Sequence, residues 1–381
     1  MKKLCILSDF YPSAEDPIYA FVGTLVECFA DMGIECHVIT PVSLFRKNHR
    51  ANSRTEMTAK GNPIHVFCPR FLVFPYRKFG RINTFIWTMA SKHHAVQRTF
   101  RKYIKTCDAF YAHFVATGGL HAALLKKRTG IPAFMALGES SLTRSAHAYE
   151  PYRELICNGF NGVITVSSDL HRQVRQLKLV SDQTPVKVFP NGIDTEVFHL
   201  RDRAVCRARW NLKESDFVVA FVGGYIKRKG VDVLQQVIAR HPEWKCILIG
   251  AGEEKITLPQ EQVLFSGRLS HSDVPETLCA ADVFALPTLA EGCCNAIIEA
   301  MGCGLPVVSS DRSFNDDILD DSCSLRINPE STDELDAALT LLSQDPTLRK
   351  RLAQGACERA SSLSISQRAR GIVSFMEAHM D

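Results

Sequence analysis

The amino-acid sequence predicts a two-domain α/β protein in which each domain contains a mainly parallel β-sheet. At 381 residues, the chain exceeds the size at which a single hydrophobic core stops growing. Hydrophobic residues make up 46% of it and charged residues 23%, which is the profile of a soluble globular protein. Short apolar runs alternate with amphipathic segments of helical length. This alternation indicates βαβ units, whose binding sites lie at the carboxyl ends of the strands.

Eleven short apolar runs are the predicted strands. A break falls at Pro190–Asp194, where turn residues follow the sixth run and a polar stretch leads to the seventh. We therefore predict an amino-terminal domain of residues 1–194 and a second domain of residues 195–360, with a ligand-binding cleft between their strand ends. The predicted strands are Leu4–Leu7, Cys36–Thr40, Ala109–Tyr111, Ala133–Leu137, Val163–Val166, Val186–Phe189, Phe217–Val222, Cys246–Ile249, Val263–Phe265, Val283–Leu286 and Val307–Ser309. In the closing segment, residues 361–381, an amphipathic helix is predicted by the apolar residues Ile365, Ile372, Val373, Phe375 and Met376.

The first residues and the cysteines indicate a cytoplasmic protein. The initial apolar run stops at Ser8 and Asp9 without a small-residue cleavage site, so we expect a strand and not a signal peptide. No apolar stretch reaches the roughly 20 residues that a transmembrane helix needs. The fourteen cysteines contain no C-x-x-C spacing, which favours reduced and mostly buried thiols. The adjacent Cys293 and Cys294 cannot form a usual zinc site alone.

Positive charge is concentrated in one segment, although the net charge is only +4. From Val42 to Lys105 the only acid is Glu56, and aromatic residues are interleaved with the bases. Such a mixture suits the anionic surface of a membrane or a phosphorylated acceptor, and the alternative is a solvated basic face. The fourteen bases are Arg46, Lys47, Arg50, Arg54, Lys60, Arg70, Arg77, Lys78, Arg81, Lys92, Arg98, Arg101, Lys102 and Lys105.

Two glycine-containing turns follow predicted strands in the second half. Gly223-Gly224 precedes three bases, Lys227–Lys229, and then a helical pattern. Glycines let the backbone approach a ligand and the bases favour an anion such as a diphosphate, whereas the alternative is a solvated basic turn. Gly250-Ala251-Gly252 begins like a dinucleotide fingerprint, but Lys255 stands at the third glycine position. A nicotinamide-dependent dehydrogenase is therefore disfavoured.

Two glutamates lie in a strand–loop–helix pattern between Ala281 and Val308. Glu291 is on a loop after a strand, and Glu299 is on a helix predicted from about Asn295 to Gly302–Gly304. A wholly helical span between the glutamates would be about 12 Å, long enough to reach two ends of an extended ligand. The N–H groups of Gly292 to Asn295 face the same space. Glutamates with this spacing are also common on solvated helix surfaces.

The pattern E-G-x-x-N-x-x-x-E-A-M-x-C-G-x-P-V at residues 291–307 resembles the retaining glycosyltransferases of the GT-B fold. The similar group is glycosyltransferase family four, which is related to glycogen and sucrose synthases and to bacterial mannosyltransferases. Supporting matches are F-P-N-G-I-D at 189–194, V-G-G-Y-I-K-R-K-G-V-D at 222–232, I-G-A-G at 249–252 and S-G-R-L at 266–269. The resemblance spans nearly the whole chain. It implies two Rossmann-like domains that face a central cleft, and a carboxyl-terminal helix, 361–381, that returns to the amino-terminal domain.

The resemblance also implies site residues. Glu291 would face the donor sugar, Glu299 would bind the ribose, and Lys229 with Arg228 would neutralise the departing diphosphate. Backbone groups of Gly292, Cys293, Cys294 and Asn295 would bind the sugar hydroxyls and phosphates. Gly23 would let the first helix approach the diphosphate, and Arg268 and Leu269 would meet the base.

Two positions depart from the family pattern. Gly224 stands where an arginine is frequent, and Lys227 or Arg228 could replace that phosphate contact. Leu137 stands where a histidine is frequent. Glu139 could instead hold the sugar or the acceptor, with a plain loop carboxylate as the alternative. His113, which follows another strand, is a further candidate on the acceptor side.

The expected function is a retaining transfer of a sugar from a UDP- or GDP-type donor to a glycan or lipid-linked acceptor, in cell-envelope or exopolysaccharide synthesis. The chain has no Asp-x-Asp, and the family precedent is metal-independent, so no metal or other cofactor is expected. We expect no nucleic-acid partner, and peripheral contact through residues 42–105 with the inner face of an anionic membrane. The alternatives are a non-catalytic partner that binds nucleotide sugars and a nucleotide-sugar epimerase on the same architecture.

Overall fold

A computed structural model of the chain describes residues 1–13, 19–46, 51–75, 77–79, 82–140, 142–143 and 150–381. The bases Lys47, Arg50 and Arg81 of the basic segment lie outside these residues. The chain divides into two compact units. Unit 1 comprises Met1–Val166, Leu170–Phe189 and Ala369–Asp381, and unit 2 comprises Ser167–Asp169 and Pro190–Arg368. In the described part of the chain, no helix is both long and apolar enough to cross a bilayer.

Unit 1 contains an eight-stranded sheet in the order β12-β11-β10-β9-β1-β2-β5-β4. All neighbouring strands are parallel except β4, which runs antiparallel to β5 at one edge. Two small two-stranded sheets, β3-β6 and β7-β8, lie in the same unit. The strands are β1 (Lys3–Ser8), β2 (Glu35–Ile39), β3 (Val42–Ser43), β4 (Ser53–Met57), β5 (Pro63–Phe67), β6 (Arg70–Phe71), β7 (Lys78–Phe79), β8 (Ile82–Asn83), β9 (Ala109–His113), β10 (Ala133–Leu137), β11 (Gly162–Thr165) and β12 (Val186–Val188).

The central strands of unit 1 are buried along their whole length, because helices connect them in the parallel βαβ manner. A π-helical turn, Phe100–Ile104, continues the second helix, and another, Phe114–Gly119, precedes the third. The helices are α1 (Ala20–Asp31), α2 (Phe85–Thr99), α3 (Leu120–Thr129), α4 (Arg153–Cys157) and α5 (Ser168–Gln176).

Unit 2 contains a six-stranded parallel sheet in the order β15-β14-β13-β16-β17-β18. From β13 the chain continues to β14 and β15 on one side of the sheet, and from β16 it continues to β17 and β18 on the other side. The strands are β13 (Val218–Val222), β14 (Lys245–Ile249), β15 (Val263–Gly267), β16 (Val283–Leu286), β17 (Val307–Ser310) and β18 (Ser324–Ile327). The helices are α6 (Arg203–Ala208), α7 (Val231–Ile238), α8 (Val274–Cys279), α9 (Asn295–Gly302), α10 (Thr332–Gln344) and α11 (Pro346–Ser362). The closing helix α12 (Ile365–Glu377) begins in unit 2, and its residues from Ala369 onward belong to unit 1.

A buried carboxylate joins the start of the unit 2 sheet to the helices around it. Asp282 accepts a hydrogen bond from the Val218 N–H at 2.9 Å and lies 2.7 Å from Arg203 and 3.3 Å from Arg207. The Arg207 side chain is only 6% exposed and also donates to the carbonyl oxygens of Ala280, Lys213 and Asp216. Because both oxygens of Asp282 and both terminal guanidinium nitrogens of Arg207 have partners, the two charges can remain buried.

The structure confirms the predicted α/β class and all eleven predicted strands, with end shifts of one or two residues. The predicted helices at Asn295 and in the closing segment are also present, as α9 and α12. None of the fourteen cysteines, all of them within the described residues, forms a disulfide bond, and eleven of them are buried. The sequence analysis missed β4, β5, β18 and the four short strands of the small sheets.

Candidate functional site

Two loops of unit 2 emerge side by side where the strand order reverses. β13 and β16 are neighbours in the sheet, although the chain visits β14 and β15 between them. Ligands of open parallel sheets bind at such a reversal, beyond the carboxyl ends of the strands. The loop after β13 carries the short 3₁₀ turn Lys227–Lys229, and the loop after β16 carries Glu291. The topology therefore places both predicted charged groups at the expected binding end of the sheet.

Gly230 allows these two loops to touch. Its φ is +70°, and a Cβ atom on it would lie 2.2 Å from the carbonyl oxygen of Pro287. The contact is completed by the Leu289 N–H and the Thr288 hydroxyl, which donate to the Arg228 carbonyl oxygen at 2.8 and 3.1 Å. Only glycine satisfies both the backbone angle and this close approach. The turn that carries the bases is thus fixed against the loop that carries the glutamate.

Glu291 is the centre of a compact charged cluster. Its Oε1 atom lies 2.5 Å from Lys229 Nζ and 3.1 Å from an Arg228 guanidinium nitrogen, and it accepts a hydrogen bond from Thr288 Oγ1 at 2.9 Å. Arg228 also donates to the Ala290 carbonyl oxygen. The side chains of Glu291 and Lys229 are only 11% and 15% exposed. One recessed carboxylate therefore holds two cations at the end of the sheet.

Lys229 stays positively charged in this setting. Burial acts to lower its pKa, but Cys294, Glu291 and the hydrogen bond to Glu291 outweigh burial and raise the pKa above the usual value for lysine. Burial raises the pKa values of the neighbouring Cys293 and Cys294 thiols to about 12 and about 11. These thiols are neutral near pH 7, so the local cations are opposed mainly by Glu291.

The helix α9 begins directly after this cluster. Cys294 precedes the helix in an extended conformation and makes no side-chain capping hydrogen bond, and the first turn has no acidic residue. The positive end of the helix is therefore not neutralised from within the helix. Asn191, 104 residues away, donates from Nδ2 to Asn295 Oδ1 at 2.7 Å and to the Cys293 carbonyl oxygen at 3.1 Å. The sequence analysis treated Asn191 as a turn residue and missed this supporting role.

Glu299 lies on α9 and faces the loop that follows β15. Its Oε1 atom is 3.8 Å from Nε2 of His271. The Glu299 carboxylate raises the pKa of His271 above its usual value, against the effect of burial. His271 was missed in the sequence analysis, although it follows the predicted Arg268 and Leu269 in the same loop. Arg268 is exposed and Leu269 is half-buried at the end of β15.

The Gly224 position has room for a side chain. A Cβ atom there would meet nothing nearer than 3.8 Å, the carbonyl oxygen of Ala251. Arg228 is occupied by Glu291 and the Ala290 carbonyl oxygen, while Lys227 is exposed. Space is therefore not the reason that arginine is absent from this position.

Three other predicted positions lie in unit 1. Gly23 faces Pro12, because a Cβ atom at Gly23 would lie 2.6 Å from the Pro12 side chain. His113 is 1% exposed at the end of β9, and its ring lies against Tyr111 and Phe21. Leu137, at the end of the neighbouring β10, is fully buried. These contacts account for each residue within the packing of unit 1.

Glu139 lies just beyond β10 in a backbone cradle. Its two carboxylate oxygens accept hydrogen bonds from the N–H groups of Val115 and Gly138, each at 3.0 Å. Burial raises its pKa to about 7, although these N–H groups act to lower it. A carboxyl group that titrates near neutral pH suits a proton-exchanging or sugar-binding role. Glu139 therefore remains a candidate site residue of unit 1.

This raised pKa predicts a pH-dependent stability difference. From the usual carboxyl pKa of 4.5 up to about 7, the folded chain holds the Glu139 proton more tightly than the unfolded chain does. The protonated Glu139 side chain therefore makes its full contribution to stability below pH 4.5. This contribution is lost as the pH rises through 7, and the free energy of unfolding falls by at most about 3 kcal/mol. As the pH rises from 4.5 to 7, the wild type should lose stability that Glu139→Gln keeps. Urea unfolding at several pH values would measure this difference. Glu150→Gln, at an exposed carboxylate paired with Arg153, is the control and should follow the wild type; parallel profiles for Glu139→Gln and the wild type would contradict the expectation.

Comparison with known proteins agrees with this fold. Two family models match the chain, "Glycosyltransferase Family 4" at residues 20–197 and "Glycosyl transferases group 1" at residues 202–359. The chain is 25% identical over 359 residues to TuaC of Bacillus subtilis (strain 168), and the match covers 89% of this chain and 88% of TuaC. TuaC has a provisional assignment as a teichuronic acid biosynthesis glycosyltransferase. It is 30% identical over 192 residues to a GDP-mannose-dependent monoacylated alpha-(1-6)-phosphatidylinositol monomannoside mannosyltransferase of Corynebacterium glutamicum, covering 45% of this chain and half of that one.

Solved structures share the fold at low sequence identity. Sucrose-phosphate synthase from Thermosynechococcus elongatus superposes with a TM-score of 0.78 at 17% identity, and the match covers 99% of each chain. HepE of Anabaena, in complex with UDP and glucose, superposes with a TM-score of 0.74 at 18% identity, again over 99% of each chain. The two family models and the shared fold identify a glycosyltransferase of the GT-B class. Together the two family models span most of the sequence, and the chain belongs to glycosyltransferase family 4.

Proposed function

We propose that this glycosyltransferase moves a sugar from a UDP- or GDP-type donor to an acceptor with retention of anomeric configuration and without a metal ion. The observation that carries the proposal is the cluster of Glu291, Lys229 and Arg228 beside the start of α9. Cleavage of a sugar–phosphate bond develops negative charge on the leaving diphosphate, which fixed cations and a helix N-terminus stabilise. Among the described residues, no three His, Cys, Asp or Glu side chains converge as possible metal ligands.

Each residue of the cluster then has a role. Lys229 and Arg228 exchange their contact with Glu291 for the diphosphate when the donor binds. The released Glu291 carboxylate faces the sugar, near the positive charge that develops at the anomeric carbon. Glu299 binds the ribose hydroxyls, and Arg268 and Leu269 meet the base. Comparing the anomeric configuration of donor and product by proton NMR tests retention directly, because an inverted product would overturn that part of the proposal.

The acceptor that we propose is a glycan or lipid-linked glycan of the cell envelope, reached at the inner face of the membrane. The names of two relatives support this direction, since one refers to teichuronic acid biosynthesis and the other to a phosphatidylinositol mannoside. The basic and aromatic segment 42–105 supports contact with an anionic surface. Fourteen cysteines without a disulfide bond, most of them buried, suit a reducing compartment.

Donor binding can be tested by thermal shift with UDP, GDP, ADP and their common sugars, each with and without EDTA. A donor at about a hundred times its dissociation constant should stabilise the form that binds it by about 2.7 kcal/mol. We expect one uridine or guanosine compound to raise Tm with EDTA present, and Glu299→Ala to reduce that shift. A shift that requires a divalent cation would overturn the metal-independent part of the proposal. No shift with any nucleotide at millimolar concentration would favour a non-catalytic role.

A further inference from the structure

A groove on unit 1 lies between α2 and the strands beside it. The groove has a volume of about 450 Å³ and is lined by parts of β5, β6 and α2 and by the π-helical turn that continues α2. The Leu72 N–H donates to Ser91 Oγ on α2 at 2.9 Å, which holds one wall of the groove against the other. A second cavity, of about 470 Å³, adjoins it along the same helix. None of the residues implicated in sugar transfer above lines either cavity.

A stripe that begins on α2 and continues into the π-helical turn brings the cations Arg98 and Lys102 to both cavities. His94, Arg98 and Lys102 are spaced by four residues and line both cavities, so they lie on one helical face. The lining residues include no acid. Across the described ranges of the chain, neither Arg98 nor Lys102 forms an ion pair with a carboxylate. Glu56, the one acid in the sequence between residues 42 and 105, is paired with Arg54 at 2.6 Å. The charge of this stripe is therefore available to an anion from solution.

Exposed apolar side chains surround the same groove. Leu44, on its rim, is 52% exposed and the adjacent Phe45 is 71% exposed. Tyr103 stacks on Phe67 of β5 with 5.4 Å between the ring centroids, and over half of Tyr103 remains exposed. Trp87 lies on α2, four residues before Ser91, and is half exposed. Aromatic and aliphatic groups beside cations are typical of side chains that sit at a membrane–water interface.

We propose that this groove binds the phosphate headgroup of an anionic phospholipid in a bilayer, with Leu44 and Phe45 entering the acyl region. Arg98 and Lys102 match the charge of the phosphate, and the exposed rim matches the apolar chains. A soluble anion alone would leave the apolar rim unused. The proposal rests on the membrane-borne acceptor of the proposed function for its biological purpose, but lipid binding itself needs neither a donor nor turnover.

Vesicle sedimentation of the full chain tests the site. Wild-type protein should bind vesicles of phosphatidylcholine mixed with phosphatidylglycerol, and should bind vesicles of phosphatidylcholine alone far more weakly. Each basic group near an anionic surface contributes on the order of 1 kcal/mol, so Arg98→Gln/Lys102→Gln should lower partitioning by roughly 10- to 30-fold. Leu44→Ser/Phe45→Ser should also weaken binding, and raised salt should weaken it further.

A matched control distinguishes the groove from general basic charge. Lys178 and Lys187 are exposed in unit 1, and Lys187 lies on β12, the sheet edge opposite β4. Lys178→Gln/Lys187→Gln removes the same net charge and should bind like the wild type. Equal losses in the two double variants, or equal binding of the wild type to both kinds of vesicle, would overturn the proposal. Transfer to a water-soluble acceptor, assayed in parallel, reports on the proposed function independently of these outcomes.

Discussion

Replacing Lys229 with glutamine is expected to lower kcat by about 100- to 1,000-fold, because this residue supplies a fixed positive charge at the site where the leaving diphosphate develops its charge. Lys229 is nearly buried, contacts Glu291 at 2.5 Å, and has a raised pKa, so the charge is present before the donor arrives. Glutamine keeps much of the length of the side chain but removes the charge. Steady-state kinetics with the donor identified by thermal shift would measure kcat and KM separately.

The control for this change is Lys213→Gln. Lys213 is exposed and precedes β13, at the opposite end of the strand from the cluster. This variant should keep wild-type kinetics. Circular dichroism and a thermal melt would establish that Lys229→Gln is folded. A folded Lys229→Gln enzyme that keeps kcat within a few-fold of the wild type would show that the cluster does not stabilise the leaving group.

Asp282→Leu is expected to destabilise the protein by about 3–5 kcal/mol, because it leaves Arg207 buried without its carboxylate partner. The same change removes the acceptor of the Val218 N–H and separates Arg203 from its partner. Urea unfolding would measure the loss. Asp282→Asn, which keeps an acceptor oxygen, should cost less than the leucine variant.

The contrast with an exposed ion pair makes this expectation specific. Asp333 is 89% exposed and pairs with Arg240 at 3.2 Å. Because exposed pairs contribute about 0–1 kcal/mol, Asp333→Ala should change the stability very little. If Asp282→Leu were as mild as Asp333→Ala, the buried group would be a geometric coincidence and not a structural support of unit 2.

The elements that the sequence predicted correctly are those with a strong local signal. The buried central strands are short apolar runs, and α9 begins at Asn295 after a glycine-containing loop. The strands that were missed include both β4 and β18, at the edges of their sheets. β4, S-R-T-E-M, has no apolar run, and its residues alternate between exposed and half-buried. An edge strand needs little hydrophobicity, because much of it faces water.

The charged cluster was predicted only in part, for a different reason. Glu291, Lys229 and Arg228 lie in recognisable segments, and the structure brings them into contact. Asn191 and His271 have no comparable local signal. Their partners, Asn295 and Glu299, are distant in sequence, and the fold determines these pairings. The buried carboxylate of Asp282 belongs to the same class, since its partners come from three separate segments: Arg203 and Arg207 on α6, Val218 on β13 and Arg349 on α11.

The closing helix α12 has a consequence for the order in which the chain folds during synthesis. Phe375 packs against Phe134 of β10 and against Phe189, at ring distances of 6.3 and 6.2 Å, and Ile372 and Met376 are fully buried. Unit 1 therefore includes residues that a ribosome adds only after the whole of unit 2. At about 5–20 residues per second, the intervening segment delays them by roughly 10–40 seconds. During that interval the apolar surface beneath Phe375 lacks its cover, so the domain that emerges first is the last to be completed.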